Sequence, residues 1–369
     1  MPCLYFLLQI GCVMKILFVC SANVWGGNEK WTSMAMAELE KSHKVFLCYK
    51  NELLSDKFHT NSLKLKMPLR NYLDIVTFYK LFLFVKKHNI DVIIPTKKKE
   101  YFICGIIAKL SGIKNVLRLG SVRNLDKPVW HNIVYGKLNH GIIVNAHRIK
   151  QNLLRYKFMR AKRIKVIYNG IVQTDIKKCT KPKDTFTITS SGRLTKLKGF
   201  HLLIKAVSEL PMGIKQKIQV KIIGEGPFLQ ELQELAEQLH VATIISFTGF
   251  IDEPQRIISE SDLFVLLSFN EGLSNSLLEA MINGIPVFTT DVGGVREFIK
   301  NSVNGFITDS RDPTDIAAAL ENIIQNKSKL HKIGQKGRNI VKELFSMDKM
   351  GSEINNFLKT VVTERTNNE

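Results

Sequence analysis
Apolar runs of strand length alternate with helix-period segments along almost the whole chain, and that alternation restricts it to α/β architecture built on parallel sheets. In the front half the pattern predicts strands at Lys15–Cys20, Lys44–Cys48, Asp91–Ile94, Val116–Leu119, Gly141–Val144 and Lys165–Ile167. Helices are expected between them at Glu29–Lys41, Tyr72–His88 and Phe102–Ser111. Asn169-Gly170 then punctuates the chain, and a polar stretch with Lys177-Lys178 and Lys181-Pro182-Lys183-Asp184 follows. A second series predicts strands at Thr185–Ser190, Gln219–Ile223, Ile245–Thr248, Leu263–Leu266 and Pro286–Thr289. Its helices fall at Phe200–Leu210, Phe228–Leu239, Leu277–Asn283, near Thr314–Gln325 and at Met347–Thr360. Two consecutive doubly wound units result, and ligands of such sheets bind at the carboxyl ends of the strands. The expected organisation is an N-terminal Rossmann-like domain over 1–168, a linker over 169–184, a second Rossmann-like domain over 185–346, and a terminal helix over 347–369 returning to the first domain.

At 369 residues, two domains are the ordinary expectation. Cys3, Cys12, Cys20, Cys48, Cys104 and Cys179 are scattered without C-x-x-C or neighbouring His spacing. They read as reduced core residues of a cytoplasmic protein rather than zinc ligands or disulfides. The apolar leader from Met1 to Val13 has no basic start and no cleavage site, which argues against a signal peptide. Met14 opens the first strand, so it is taken as the natural start and residues 1–13 as an extension. No apolar run reaches bilayer-spanning length; Thr77–Val85 is too short and is interrupted by Lys80.

Chemistry concentrates in the second half. Ser191-Gly192-Arg193-Leu194-Thr195-Lys196-Leu197-Lys198-Gly199 joins a strand to a helix, where free backbone N–H groups and a positive dipole end favour anions. Arg193 and Lys198 flank that turn and can reach a diphosphate, although two solvated loop cations would look the same. Glu271-Gly272-Leu273-Ser274 follows a buried strand, and Glu279 lies just beyond. A carboxylate accepts two hydroxyls at once, which suits sugar and ribose diols. Ser276-x-x-Glu279 also fits a capping box with a purely structural role. Asp291-Val292-Gly293-Gly294 makes a further turn at a strand end. Gly224-Glu225-Gly226-Pro227 begins like a dinucleotide fingerprint but has Leu229 at the third glycine position, so a nicotinamide or flavin is weakly supported.

Together these segments resemble the retaining glycosyltransferases of family 4 (glycosyl transferases group 1), which have the GT-B fold. The matching pieces are Gly26-Gly27-x-Glu29, Ile167-Tyr168-Asn169-Gly170, Gly192-Arg193-Leu194 with Lys198-Gly199, Phe247-Thr248-Gly249-Phe250, Glu271-Gly272 with Glu279-Ala280, and Asp291-Val292-Gly293-Gly294. The resemblance implies two domains facing each other across a donor-binding cleft. It also implies that Arg193 and Lys198 hold the donor diphosphate, and that Glu271 binds the transferred sugar with help from the amides of Gly272, Leu273 and Ser274. Glu279 would bind the ribose, Gly249 and Phe250 would lie against the base, and Gly26 and Gly27 would close over donor or acceptor. The donor implied is a UDP- or GDP-sugar, with no cofactor and no metal; the chain has no D-x-D pattern. One departure concerns the general base: many relatives carry a His after the strand Val116–Leu119, where Gly120 stands here. His131, His140 and His147 are nearby in sequence, and none is assigned the role.

The net charge of +20 is concentrated in the front half, at Lys86-Lys87, Lys97-Lys98-Lys99, Lys109, Lys114, Arg118, Arg123, Lys127 and from Arg160 to Lys165. Phe78, Leu81, Phe82 and Val85 repeat at helical spacing, which fits either a core-packing face or attachment to anionic lipid head groups. A glycan or lipid-linked acceptor at the inner face of the cytoplasmic membrane fits the charge, in surface polysaccharide, lipopolysaccharide or capsule synthesis. Competing readings are a glycosidase using Glu271 and Glu279, a sugar-nucleotide epimerase of the same fold, and a basic, non-catalytic nucleic-acid- or membrane-binding protein. The basic segments lack aromatic interleaving and any nucleic-acid module, so no nucleic-acid partner is expected.

Overall fold
The computed structural model describes residues 13–58, 60–173 and 185–363. The leader apart from Val13, the linker from 174 to 184, and Cys3, Cys12 and Cys179 lie outside the described residues. The chain divides into two compact units. The first contains the described residues up to Asn145, Ile149–Gly170 and those from Met347 onward; the second contains Ala146–Arg148 and those of Ile171–Ser346.

The first unit is built on strands β1 (Lys15–Cys20), β2 (Lys44–Tyr49), β3 (Leu63–Lys66), β4 (Val92–Pro95), β5 (Lys114–Leu119), β6 (Gly141–Val144) and β7 (Ile164–Val166). They form one parallel sheet in the order β3-β2-β1-β4-β5-β6-β7. Apolar runs buried on both faces are what a sheet covered by helices on each side requires. On one face the helix α1 (Gly27–Glu40) and the terminal helix Met347–Thr363 close over Phe18, Leu47, Val116 and Ile143. On the other, α2 (Ile75–His88) and α3 (Glu100–Ser111) cover Leu17, Phe46 and Ile93. Helix α2 starts at Ile75 rather than Tyr72 because the Asp74 carboxylate accepts from Thr77 N at 3.0 Å, a side-chain N-cap. Its Leu81, Phe84 and Val85 join the core, with Phe78 and Phe82 packed against it. The apolar stripe seen in the sequence is therefore a packing face, and a different set, Ile75, Val76, Tyr79 and Leu83, is exposed.

The second unit carries β8 (Phe186–Ser191), β9 (Ile218–Ile223), β10 (Ile245–Phe247), β11 (Leu263–Leu266), β12 (Val287–Thr290) and β13 (Phe306–Thr308). Their order is β10-β9-β8-β11-β12-β13, again parallel. Strand order reverses between β8 and β11, whose carboxyl ends therefore mark the switch point of this sheet. Among the described residues no helix is long and apolar enough to cross a membrane.

Edge strands β3 and β13 and the helices His147–Leu154 and Leu330–Leu344 were not anticipated from the sequence. A correction also falls on the helix Asn275–Ile282, which begins two residues earlier than expected with Ser274 as N-cap. Ser276 is thus already helical and Glu279 sits in the second turn, so the capping-box reading fails.

Candidate functional site
At the switch point of the second sheet, the chain leaves β8, turns through 192–199 and enters the helix Phe200–Glu209. Gly199 has φ +70°, and a Cβ there would stand 1.9 Å from the carbonyl oxygen of Leu267. Only glycine lets this turn lie directly on the end of β11. The contact is locked by Phe269 N donating to Leu197 O at 2.8 Å.

That packing brings Lys198 and Glu271 together: the Lys198 ammonium donates to Glu271 Oε1, with both side chains partly buried. Ser268 Oγ donates to the same oxygen at 3.1 Å. Ser268 is itself held from two sides, its carbonyl accepting from Thr290 Oγ1 at 2.7 Å and from the Arg311 guanidinium at 2.9 Å. Gly294 N donates to Gly272 O at 2.7 Å, which joins the 291–294 turn to the segment after Glu271. Arg193, by contrast, is exposed, and among the described residues it makes no ion pair. Ser274 starts its helix without a side-chain cap, as does Gly199 for the helix Phe200–Glu209. Two helix ends without side-chain caps, one free guanidinium and one shared cation make a site suited to phosphate.

The glycine-rich segment at 224–226 packs against the turn that carries Arg193. Gly224 has φ +135°, and a Cβ on it would lie 2.0 Å from Gly192 O. Leu194 N donates to Glu225 O at 2.9 Å and Gly224 N to Gly249 O at 2.8 Å, so three strand ends are stitched side by side. Glu225 Oε1 accepts from Phe250 N at 3.3 Å, fixing Gly249 and the half-exposed Phe250 beside the turn that carries Arg193. Glu279 is 5% exposed in the helix Asn275–Ile282. Sequence reasoning missed Ser268, Thr290, Arg311 and Glu225, whose roles arise only once strand ends meet.

In the first unit Gly26 caps α1 and Gly27 is its first residue. Two carboxylates organise the neighbouring strand ends. Glu29 is buried and pairs with Lys97 Nζ at 2.5 Å. Glu100, also buried, accepts from the backbone N–H of Ser21, and from those of Thr96 and Lys97 at 2.9 Å each. Burial outweighs these donors and raises its carboxyl to about 7. Gly120 follows β5 directly. His131 and His140 each accept a backbone N–H through Nδ1, from Lys127 and Asn115 at 3.1 Å, and burial pulls His140 down to about 4. Arg118, grouped in the sequence with the surface cations, is instead 2% exposed, with its guanidinium 4.4 Å from the Trp31 ring centroid. Among the described residues no cluster of His, Cys, Asp or Glu is arranged to hold a metal ion.

Comparison with known proteins gives this geometry a context. Residues 172–340 match the family described as glycosyl transferases group 1. The chain is 29% identical over 246 residues to the lipopolysaccharide core biosynthesis glycosyltransferase LpsE of Rhizobium meliloti, covering 66% of this chain and 69% of LpsE. It is 23% identical over 388 residues to N-acetyl-alpha-D-glucosaminyl L-malate synthase of Bacillus anthracis, covering 96% of this chain and 99% of that enzyme. The crystal structure of Anabaena HepE in complex with UDP-glucose superposes with a TM-score of 0.81 at 21% identity, over 94% of this chain and all of that one. The shared architecture is the GT-B fold. Through residues 172–340, this chain belongs to the glycosyl transferases group 1 family.

Proposed function
We propose that this chain transfers a sugar from a UDP- or GDP-sugar to a hydroxyl of a cell-surface glycan or lipid-linked acceptor, with retention of anomeric configuration and without a metal. The observation that carries the reading is the contact of Lys198 with Glu271 beside the exposed Arg193. A cation and a carboxylate side by side suit the point where a phosphate meets a sugar. Lys198 turns to the phosphate oxygen that leaves, while Glu271 accepts from sugar hydroxyls. Arg193 holds the second phosphate, the amides of Gly272, Leu273 and Ser274 assist, Glu279 takes the ribose, and Gly249 with Phe250 lies against the base. Gly26 and Gly27 contribute from the first unit. The bond from the anomeric carbon to phosphate breaks, a bond to the acceptor oxygen forms on the same face, and a donor phosphate oxygen takes the acceptor proton. With no histidine at Gly120, positioning and charge stabilisation supply most of the acceleration. HepE was crystallised with UDP-glucose and LpsE is named for lipopolysaccharide core synthesis, which supports this donor and acceptor class.

The working location in this reading is the inner face of the cytoplasmic membrane, reached through α2. Its exposed Ile75, Val76, Tyr79 and Leu83 share the helix with Lys80, Lys86 and Lys87, and no acidic residue lies on it.

Thermal-shift titration with UDP-, GDP-, ADP- and CMP-sugars tests the donor site. A uridine or guanosine sugar should stabilise the protein, and Arg193→Ala and Glu279→Ala should each remove most of that response. A response unchanged in both variants would sink the site assignment.

A further inference from the structure
Arg118 lies on β5 with its side chain turned toward α1, where the guanidinium rests on the Trp31 ring. Only one of its nitrogens is satisfied by a side chain: NH2 donates to Asn169 Oδ1 at 3.1 Å. Nε and NH1 are buried and, among the described residues, have no hydrogen-bond partner. Among the described residues no carboxylate pairs with Arg118, although a buried guanidinium is costly unless an anion meets it. Five residues on, Arg123 is partly buried, stacks 5.4 Å from the Tyr101 ring centroid and donates to Tyr135 OH at 3.2 Å, again with no carboxylate partner. The two cations repel each other across the short turn that joins them. Between them stands Gly120, where a Cβ would lie 3.1 Å from Arg118 NH1, so any side chain would crowd the unsatisfied donors. By strand register this cluster sits at the carboxyl edge of the first sheet, Arg118 lying opposite Ile143 near the end of β6.

We propose that Arg118 and Arg123, with Gly120 keeping the guanidinium face clear, form an oxyanion subsite in the first unit that takes the phosphate or carboxylate of the acceptor. Assigning the oxyanion to the acceptor rests on the transferase reading above; the anion site itself does not. A planar fork with two unused N–H groups matches either oxyanion, and a second guanidinium supplies the remaining charge.

Calorimetric titration with inorganic phosphate and with malonate, at constant ionic strength, tests this. The full chain carrying Arg193→Ala and Lys198→Ala serves as the parent, which removes the proposed donor diphosphate site. Saturable binding to that parent, weakened about tenfold or more by Arg118→Met, is the expected result. Stronger binding of phosphate than malonate assigns a phosphorylated acceptor, and the reverse assigns a carboxylate. Gly120→Ala keeps both arginines and should weaken the same binding while leaving the melting temperature near that of the parent, which covers the case in which Arg118→Met does not fold. In active enzyme, Arg118→Lys should raise the acceptor KM and leave the donor KM unchanged. No binding to the parent, or equal binding in Arg118→Met and Gly120→Ala, overturns the subsite. A wild type that shows no donor response, with anion binding intact in the parent, would overturn the transferase reading alone.

Discussion

Lys198 donates to the same Glu271 oxygen that Ser268 Oγ contacts, so a cation and a carboxylate with separate expected tasks neutralise each other. For a partly buried pair at 4 Å the attraction is about 4 kcal/mol at an effective dielectric of 20. Desolvation cancels much of that. Exchange of the carboxylate for a donor phosphate therefore costs little, and Lys198 arrives already aimed.

Removing either member should hurt turnover more than folding. Lys198→Ala is expected to lower kcat about 100- to 1000-fold, the range for losing one preorganised charge-stabilising group. Glu271→Gln should raise the sugar-donor KM while leaving binding of the free nucleoside diphosphate close to wild type. Steady-state rates and nucleotide titrations check both. Equal loss of nucleotide binding in Glu271→Gln would place that carboxylate elsewhere.

Gly199→Ala should destabilise the second unit by about 2–4 kcal/mol, through left-handed backbone strain and overpacking. The added methyl would meet Leu267 O at 1.9 Å. Gly213→Ala provides the contrast: nothing lies within 4 Å of its Cβ position, and φ is not in the left-handed region. That variant should be neutral or more stable by roughly 0.5–1 kcal/mol. Urea denaturation of the two variants measures the difference.

Glu100 predicts a pH dependence of stability. Burial raises its carboxyl from an ordinary 4.5 to about 7, so between those values the folded state holds a proton that the unfolded state has released. Stability must then fall as pH rises from 4.5 to about 7 and level off above, by roughly 3 kcal/mol in total. Glu100→Gln should flatten this slope, while losing overall stability because an amide NH2 would face the N–H of Ser21 or those of Thr96 and Lys97. Denaturation midpoints from pH 4.5 to 8 decide it; an unchanged slope in the variant would remove Glu100 as its source.

Substituting Lys80, Lys86 and Lys87 with Gln should reduce partitioning onto anionic vesicles by roughly 3 kcal/mol, about a hundredfold. Ile75→Glu should act in the same direction without unfolding the chain, because that side chain is 79% exposed. Vesicle sedimentation at rising salt is the measurement. Salt-insensitive partitioning, or none by the wild type, would remove the membrane from the proposal.

The central strands were legible because a buried parallel strand is apolar along its whole length, as Ile16–Val19 and Leu263–Leu266 show. Two of the four edge strands were not: β3 reads Leu-Lys-Leu-Lys over four residues and β13 spans only three. Helix Leu330–Leu344 escaped because Leu330, Ile333 and Val341 are spread among lysines and glycines. In the candidate site, Arg193, Lys198 and Glu271 were visible as motif residues. The contact of Lys198 with Glu271 was not, since it depends on Gly199 resting on Leu267. Arg118 was read as one more charge among the front-half lysines, and Glu100 drew no reading at all, for nothing local marks a side chain as buried.

The terminal helix Met347–Thr363 inserts Met350, Ile354, Phe357, Leu358 and Val361 into the core of the first unit. At roughly 1.5–3 kcal/mol for each buried side chain, these five approach the whole stability of an ordinary domain. A ribosome making this chain finishes the second unit while the first still waits for its last layer. The lobe that is synthesised first is therefore the one that matures last, and a nonsense codon near the end of the message would strip the beginning of the protein.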